Sequence, residues 1–161
     1  MSPSRRVTVE RNRLRFAAAH MATFGGDMEP LHGHNYDITV EIEGDLTKDD
    51  WVWDFGGLKK IARDIADALD HHFLLQRNSQ LLTISELPDA WRIEFRDRTY
   101  TFPKQDVIAL PIENTTAERI SEWISGRIQQ GLAEAGATNI RRLSVGVEEM
   151  PGQAGWYTVD L

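Results

Sequence analysis

The chain has 161 residues, 41% of them hydrophobic and 27% charged, which is the composition of an ordinary globular protein. Its 18 lysines and arginines against 25 aspartates and glutamates leave a net charge of -7, which argues against nucleic-acid binding through a basic surface. No apolar run is long enough to span a membrane and we find no secretory signal, so we expect one cytoplasmic domain over residues 1–161.

The first third of the chain predicts two strands. Apolar residues alternate from Val7 to Phe16 and predict a strand that ends near the sequence FAAAH. Alternation resumes from Tyr36 to Ile42, which predicts a half-buried strand that Gly44 ends. Because only a loop separates the two strands, we expect them to pair antiparallel.

Two helices follow at different places in the chain. Apolar residues at helical spacing predict an amphipathic helix from about Gly57 to Leu69. The segment NTTAERISEWISGRI predicts a second helix, in which Thr115 and Glu118 have capping-box spacing and Gly136 is a stop signal.

Strand patterns fill the rest of the chain. Trp91, Ile93 and Phe95 alternate before a turn, which predicts a hairpin inserted at about residues 77–111. Two closing strands are predicted around Val145 and in the sequence WYTVDL. This order predicts an α+β fold, an antiparallel sheet with two helices on one face plus the inserted hairpin.

Three of the five histidines suggest a metal site. Side chains two residues apart in an extended segment point the same way, so His32 and His34 can bind one ion together. His20, at the end of the neighbouring strand, is a candidate third ligand. The chain has no cysteine, and three histidines with one open position form a catalytic type of zinc site. The alternative is a turn whose imidazoles are solvated or cap backbone groups.

Two further patterns point to a site. Asp70 beside His71 forms a pair suited to proton transfer, although a histidine at a helix C-terminus is also stabilised by the helix dipole alone. Glu148 at the end of a strand can accept two parallel N–H bonds from a ring edge, or it is a solvated strand end.

Six blocks in order resemble the 6-pyruvoyl-tetrahydropterin synthase and 6-carboxytetrahydropterin synthase family. They are FAAAH, LHGHNYDITVEIEG, VWDFGGLKK, ALDHHFLL, ENTTAERISEWI and VGVEE. The resemblance implies the tunnelling fold (T-fold), in which two stacked trimeric rings form a homo-hexamer.

The resemblance also implies roles for individual residues. Zinc is held by the residues that match His20, His32 and His34. The pair matching Asp70 and His71 acts as acid and base and reaches the site from a neighbouring subunit. The residue matching Glu148 anchors the pterin ring, helped by Thr115 and Thr116, and the implied substrate is 7,8-dihydroneopterin triphosphate.

One departure from the family concerns the catalytic base. Met28 occupies the position at which members of the pyruvoyl- and carboxy-forming types usually have a catalytic cysteine, and a thioether cannot take a proton. The next residue is Glu29, and some relatives that use a glutamate there cleave the side chain to 6-hydroxymethyl-7,8-dihydropterin. Glu29 is therefore a candidate base, the alternative being a solvated loop residue.

The sequence thus predicts a zinc-dependent lyase that acts on the C6 side chain of a dihydropterin. Formation of a pyruvoyl pterin, formation of a carboxypterin and cleavage to the hydroxymethyl pterin all stay open. A pterin-binding homologue without catalysis is the alternative from another class, and a structural ring without ligand is a third. The ligands of the triphosphate are not identified by the sequence.

Overall fold

The computed structural model describes residues 3–161 and has the α+β architecture that the sequence predicts. Helix α1 spans Phe55–Leu69, helix α2 spans Ala117–Glu134, and a short 3-10 helix spans Lys104–Asp106. The strands are β1 (Arg5–Val9), β2 (Arg15–His20), β3 (Thr23–Phe24), β4 (Asp27–Met28), β5 (His32–Gly44), β6 (His72–Gln76), β7 (Thr83–Glu86), β8 (Ala90–Phe95), β9 (Arg98–Pro103), β10 (Val107–Leu110), β11 (Ile140–Met150) and β12 (Gln153–Asp160).

The main sheet has the strand order β10-β6-β2-β5-β11-β12, and β1 also pairs with β5. The predicted antiparallel pairing of β2 with β5 is confirmed. However, β6 runs parallel to both β2 and β10, so the sheet is mixed and not purely antiparallel. The reason is topological: long connections, which contain α1 and the insertion, return the chain in the same direction before it pairs.

Both helices pack on one face of this sheet, as predicted. In α1 the Asp54 carboxylate accepts the amide of Gly57 as N-cap, and the apolar stripe reaches Leu69. In α2 the buried stripe contains Ile120, Ile124 and Ile128, which join one core with the inner side chains of the central strands. None of the helices in residues 3–161 combines the length and apolar composition required to cross a bilayer.

The insertion forms a separate sheet of three strands, β7-β8-β9, and not a single hairpin. We call β7–β9 the inserted sheet. Its side chains Trp91, Ile93 and Phe95 form a second core with Phe73 and Leu75 of β6. Leu74 lies between those two residues and belongs to the first core, so the inserted sheet covers the face of β6 opposite the helices. Strand β10 falls within the predicted insertion but joins the main sheet.

Two element boundaries differ from the prediction. The predicted first strand is broken into β1 and β2, because Arg11, Asn12 and Arg13 all have positive φ and turn the chain. The N-cap of α2 is Thr116, whose hydroxyl accepts the amide of Arg119, so the predicted capping box that begins at Thr115 is one residue too early.

Candidate active site

The pairing of β2 with β5 brings the predicted metal ligands together. In this register His20 lies directly opposite His32, and His34 follows two residues along β5 on the same face. Gly33 between them permits the pairing, because a Cβ at Gly33 would come within 2.9 Å of the Ala18 carbonyl oxygen. The HGH sequence thus combines two ligands with a residue small enough for the close approach of the strands.

The three imidazoles converge on one point. One ring nitrogen of each histidine lies within 4.8 Å of the others. The Nε2 atoms of His20 and His32 are 3.1 Å apart, and the rings of all three histidines meet edge to face. His20 is buried, whereas His32 and His34 are partly exposed, so the cluster opens towards solvent on one side.

Backbone carbonyls fix the protonation of two of these rings. His20 Nδ1 lies 2.9 Å from the Thr115 carbonyl oxygen and His32 Nδ1 lies 2.6 Å from the Pro30 carbonyl oxygen. Because a carbonyl only accepts, each Nδ1 carries the proton and each Nε2 presents a lone pair. The two Nε2 atoms then face each other without a hydrogen between them, which is unfavourable unless a cation is shared.

The donor set therefore fits a metal ion such as zinc. Two nitrogens bound to one tetrahedral zinc at about 2.0–2.1 Å are separated by roughly 3.4 Å, close to the spacing of these two Nε2 atoms. Burial, together with the nearby His32, lowers the pKa of His20 to about 4, so His20 is neutral and able to ligate at neutral pH.

The structure distinguishes Met28 from Glu29. The Met28 side chain is buried in the second core and does not line the cleft that His20 borders. Glu29, in contrast, lines a cleft of about 350 Å³ together with His20, and its carboxylate lies 3.8 Å from His32 Nε2. Position 28 thus supplies an apolar side chain to the second core, and position 29 places a carboxylate beside the histidine cluster.

The two consecutive glutamates of β11 lie on different sides of the sheet. Glu148, the predicted ring anchor, lines a separate cleft with Arg15 and Asp37 and accepts the amide of Gly152. Glu149, which the sequence analysis did not select, lines the cleft of Glu29 and His20 and lies 4.0 Å from His34 Nε2.

The two threonines before α2 also have different positions. Thr115 is fully buried, and its carbonyl and hydroxyl oxygens both contact His20 Nδ1. It therefore supports a candidate metal ligand and does not line the cleft. Thr116 lines the cleft, at the N-terminus of α2.

Asp70 and His71 form the predicted pair, but on another part of the surface. Asp70 Oδ2 lies 2.7 Å from His71 Nδ1, and Asp70 Oδ1 accepts the amide of Ala17 at 2.7 Å. The His71 backbone has a φ of +60°, in the left-handed region. The His71 side chain is 83% exposed and borders a cleft that Ala17, Asn35 and His34 also line, whereas Glu29 and His20 line a different cleft.

Tyr36 is a further site residue that the sequence analysis used only as a strand residue. Its ring contacts the rings of His20 and His34, and its buried hydroxyl has no hydrogen-bond partner in residues 3–161. Burial raises the pKa of this hydroxyl, and the charges of Glu149 and Glu29 raise it further. The hydroxyl therefore stays protonated and remains a donor.

Comparison with known proteins places this geometry in a family. Residues 8–160 match the family model for 6-pyruvoyl tetrahydropterin synthase. A putative 6-carboxy-5,6,7,8-tetrahydropterin synthase from Methanocaldococcus jannaschii is 32% identical over 145 residues, which are 89% of each chain. A dihydroneopterin monophosphate aldolase from Pyrococcus furiosus is 29% identical over 133 residues, which are 83% of each chain.

Solved structures agree with this placement. The 6-pyruvoyltetrahydropterin synthase of Plasmodium vivax superimposes with a TM-score of 0.93 at 31% identity, covering 99% of this chain and 100% of that one. Two more structures of that enzyme, also with TM-scores of 0.93, are of variants in which a catalytic glutamate is replaced, by alanine in one and by cysteine in the other. The T-fold expected from the sequence is thereby confirmed, and the chain belongs to the 6-pyruvoyl tetrahydropterin synthase family.

Proposed function

We propose that the protein is a zinc-dependent lyase that cleaves the C6 side chain of 7,8-dihydroneopterin triphosphate to give 6-hydroxymethyl-7,8-dihydropterin. One observation carries this proposal. The structure puts the carboxylate of Glu29 beside the histidine cluster and buries Met28, which occupies the position of the usual cysteine. A carboxylate is the general base available there for a hydroxyl proton.

Zinc would be held by His20, His32 and His34, whose nitrogens converge as such a metal requires. When bound, zinc polarises the oxygens of the substrate side chain and favours their loss of a proton. Thr115 supports this site by fixing the tautomer of His20.

The pterin ring would be oriented by Glu149, and not by Glu148 as the sequence analysis expected. Glu149 lies in the cleft of Glu29 and Thr116, whereas Glu148 belongs to another cleft. A carboxylate can accept two parallel N–H bonds from the amidine-like edge of a pterin, which fixes the side-chain carbons relative to the base. Thr116 completes this part of the cleft, and Thr115 does not contact the substrate.

The chemical step follows from these positions. Glu29 takes the proton of the C2′ hydroxyl, the C1′–C2′ bond breaks, and C2′ leaves as the aldehyde of the departing phosphorylated fragment. The electron pair of the broken bond passes to C1′, where the adjacent C6=N5 bond delocalises it. The Asp70–His71 pair of a neighbouring subunit returns a proton to C1′. No oxidant, reductant or co-substrate is consumed.

The comparisons support cleavage at the level of relatives. The family includes synthases, and the Pyrococcus furiosus relative is a dihydroneopterin monophosphate aldolase. A catalytic glutamate is also present in the Plasmodium vivax enzyme, whose fold superimposes closely on this chain. These relatives make a glutamate-based reaction on a dihydropterin chemically reasonable for this protein.

The test is to incubate the zinc-loaded protein with 7,8-dihydroneopterin triphosphate and to separate the pterin products. We expect 6-hydroxymethyl-7,8-dihydropterin, and we expect Glu29→Gln to lower kcat by about 100-fold or more, the usual effect of removing a general base. Met28→Leu is the matched control, since it replaces the neighbouring buried side chain by one of similar volume and should retain most of the activity.

Other outcomes would replace the proposal. A pyruvoyl pterin with release of triphosphate would favour the synthase reaction after which the family is named. Tight binding of the substrate without any product over hours would favour a non-catalytic pterin-binding protein. Full activity in Glu29→Gln would exclude Glu29 as the base.

The assembly and location expected from the sequence stay predictions. We propose a homo-hexamer built as a dimer of trimers, because His71 borders a cleft that neither Glu29 nor His20 of its own chain lines. A cytoplasmic location and a single-domain organisation over residues 1–161 are likewise proposed and await experiment.

A further inference from the structure

The segment that carries Glu29 lies between the histidine cluster and the inserted sheet. We call residues 23–30 the Glu29 loop. It contains the two-stranded ribbon of β3 and β4, with Gly25 and Gly26 at its tip, and it leads directly into β5. The inserted sheet contacts this loop through Arg98 and through the second core, in which the Met28 side chain is packed.

Arg98 of β9 makes the shortest polar contact between the inserted sheet and the loop. Its Nη2 donates to the Met28 carbonyl oxygen at 2.8 Å. That oxygen belongs to the peptide bond that joins Met28 to Glu29, so the guanidinium holds the peptide group immediately before the proposed base. The Arg98 side chain is 32% exposed and lies over the Phe95 ring at 5.4 Å, which restricts its own movement.

Further contacts fix the rest of the loop. The Glu29 amide donates to the Ala22 carbonyl oxygen at 2.9 Å, and the Asn114 side chain binds both backbone groups of Thr23 at 2.9 and 2.8 Å. The Met28 side chain is packed in the second core beside Phe95. Within this frame the Glu29 side chain, which is 47% exposed, is the part that stays free to meet a ligand.

We propose that Arg98 is a positioning residue for Glu29, and that the inserted sheet serves as the rigid support of the catalytic loop. This inference rests on the proposed function. Its physical basis is that a general base must lie within hydrogen-bond reach of its proton, and a displacement of about 1 Å costs on the order of 100-fold in rate. A loop tied to a sheet by a charge-assisted hydrogen bond holds that position better than a solvated one.

Activity measurements separate positioning from general stability. We expect Arg98→Ala to lower kcat by about 10- to 100-fold with KM changed by less than about threefold, because the ring-binding part of the cleft stays intact. Arg98→Lys keeps a cationic donor and should recover much of the lost kcat. Arg92→Ala is the matched control, since Arg92 is exposed on β8 of the same sheet and should leave kcat unchanged.

Amide hydrogen exchange tests the same inference without turnover. We expect the Glu29 amide to exchange at least about tenfold faster in Arg98→Ala than in the wild type, while amides of β5 and β11 keep their protection. Unchanged protection of Glu29 in folded Arg98→Ala would overturn the proposal, as would faster exchange with an unaltered kcat. A wild-type protein that turns over no dihydropterin would instead refute the proposed function, and the exchange data would still decide whether Arg98 holds the loop.

Discussion

At the scale of single residues, two backbone carbonyls determine which nitrogens of the histidine cluster face one another. The carbonyls of Thr115 and Pro30 bind Nδ1 of His20 and His32, so the cluster presents lone pairs to its centre. This arrangement suits three side chains on two strands to hold one metal ion.

His32→Ala tests the cluster directly. The variant removes one of the three candidate ligand nitrogens and should lower the affinity for zinc by at least about 100-fold. Removing a residue that only hydrogen-bonds to a metal ligand already lowers metal affinity by roughly 10- to 100-fold. The measurement is the zinc content of purified protein after dialysis, combined with a competitive chelator titration. His71→Ala is the matched control and should bind zinc as the wild type does, since its ring lies outside the cluster. Equal zinc binding by both variants would contradict the assignment.

The Asp70 carboxylate makes a pH-dependent contribution to stability. The hydrogen bond from the Ala17 amide holds the pKa of Asp70 below its usual value, and the contact with His71 adds to this. A carboxyl group whose pKa is depressed by folding stabilises the native state above its unfolded pKa, near 3.8, and this contribution disappears as the pH falls through the lower folded value.

Asp70→Asn should therefore be less stable than the wild type at pH 7, and the difference should shrink as the pH falls below about 3.8. Urea unfolding of both proteins at a series of pH values measures this difference in the free energy of unfolding. The asparagine keeps an oxygen that can accept the Ala17 amide, so the comparison isolates the charge. A stability difference that is constant between pH 7 and pH 3 would show that the carboxylate charge is not responsible.

Alternation along single strands explains both the histidine cluster and the different positions of Glu148 and Glu149. The two-residue spacing of His32 and His34, with His20 at the end of a partner strand, was enough to bring the three rings together. In β11 the same alternation puts Glu149 on the face of Val145 and Val147, which is also the face of the histidines, and it puts Glu148 on the opposite face. Glu148 was selected through the resemblance to the family, whereas the alternation favours Glu149, which lines the cleft.

At the scale of elements, the approach of β12 to the start of α2 controls one wall of the cleft. A Cβ on Gly155 would lie 2.7 Å from the Glu118 amide nitrogen and 2.8 Å from Ala117. The helix start that these atoms form carries Thr116, which lines the cleft. Backbone atoms cannot yield as a flexible side chain does, so α2 would have to move away from the sheet.

We therefore expect Gly155→Ala to destabilise the protein by about 1–3 kcal/mol, the usual cost of overpacking, and to raise KM for the dihydropterin. Gly126→Ala in the exposed part of α2 is the matched control. Its new methyl group would meet nothing within 4 Å, and it should stabilise the protein by about 0.5–1 kcal/mol through helix propensity. Thermal unfolding and steady-state kinetics of both variants measure these effects. If Gly155→Ala changed neither the stability nor KM, the start of α2 would be free to shift.

Helices and strands were predicted correctly where a long periodic pattern marks them. They were predicted less well where local backbone geometry determines where a strand begins or ends. Both helices and the long strand β5 follow from apolar periodicity. The break between β1 and β2 depends on Arg11, Asn12 and Arg13, whose φ angles are positive. Residues other than glycine rarely adopt this conformation, so the sequence pattern does not predict it. Strand β7 was missed because its four residues, TISE, are too short to establish an alternation, and its pairing with β8 defines it.

At the scale of the whole molecule, His71 of the proposed acid–base pair and the proposed base Glu29 line different clefts of one chain. Glu29 and His20 line one cleft, and His71 borders another, which His34 also lines. We therefore expect a reaction that needs both groups to use the Asp70–His71 pair of a second copy of the chain. The proposed symmetric assembly would supply such shared sites at every interface.

Mixing of inactive variants tests this sharing. Glu29→Ala and His71→Ala should each be inactive alone. When the two variants are co-expressed, random assembly leaves about one quarter of the shared sites with both groups intact, so about one quarter of wild-type activity should return. Glu29→Ala co-expressed with His32→Ala is the matched control. Both of those residues belong to the same half of the site, so no intact site can form and no activity should return. Activity that stays absent in the first mixture, with the mixed assembly verified by native mass spectrometry, would mean that each chain forms its own complete site.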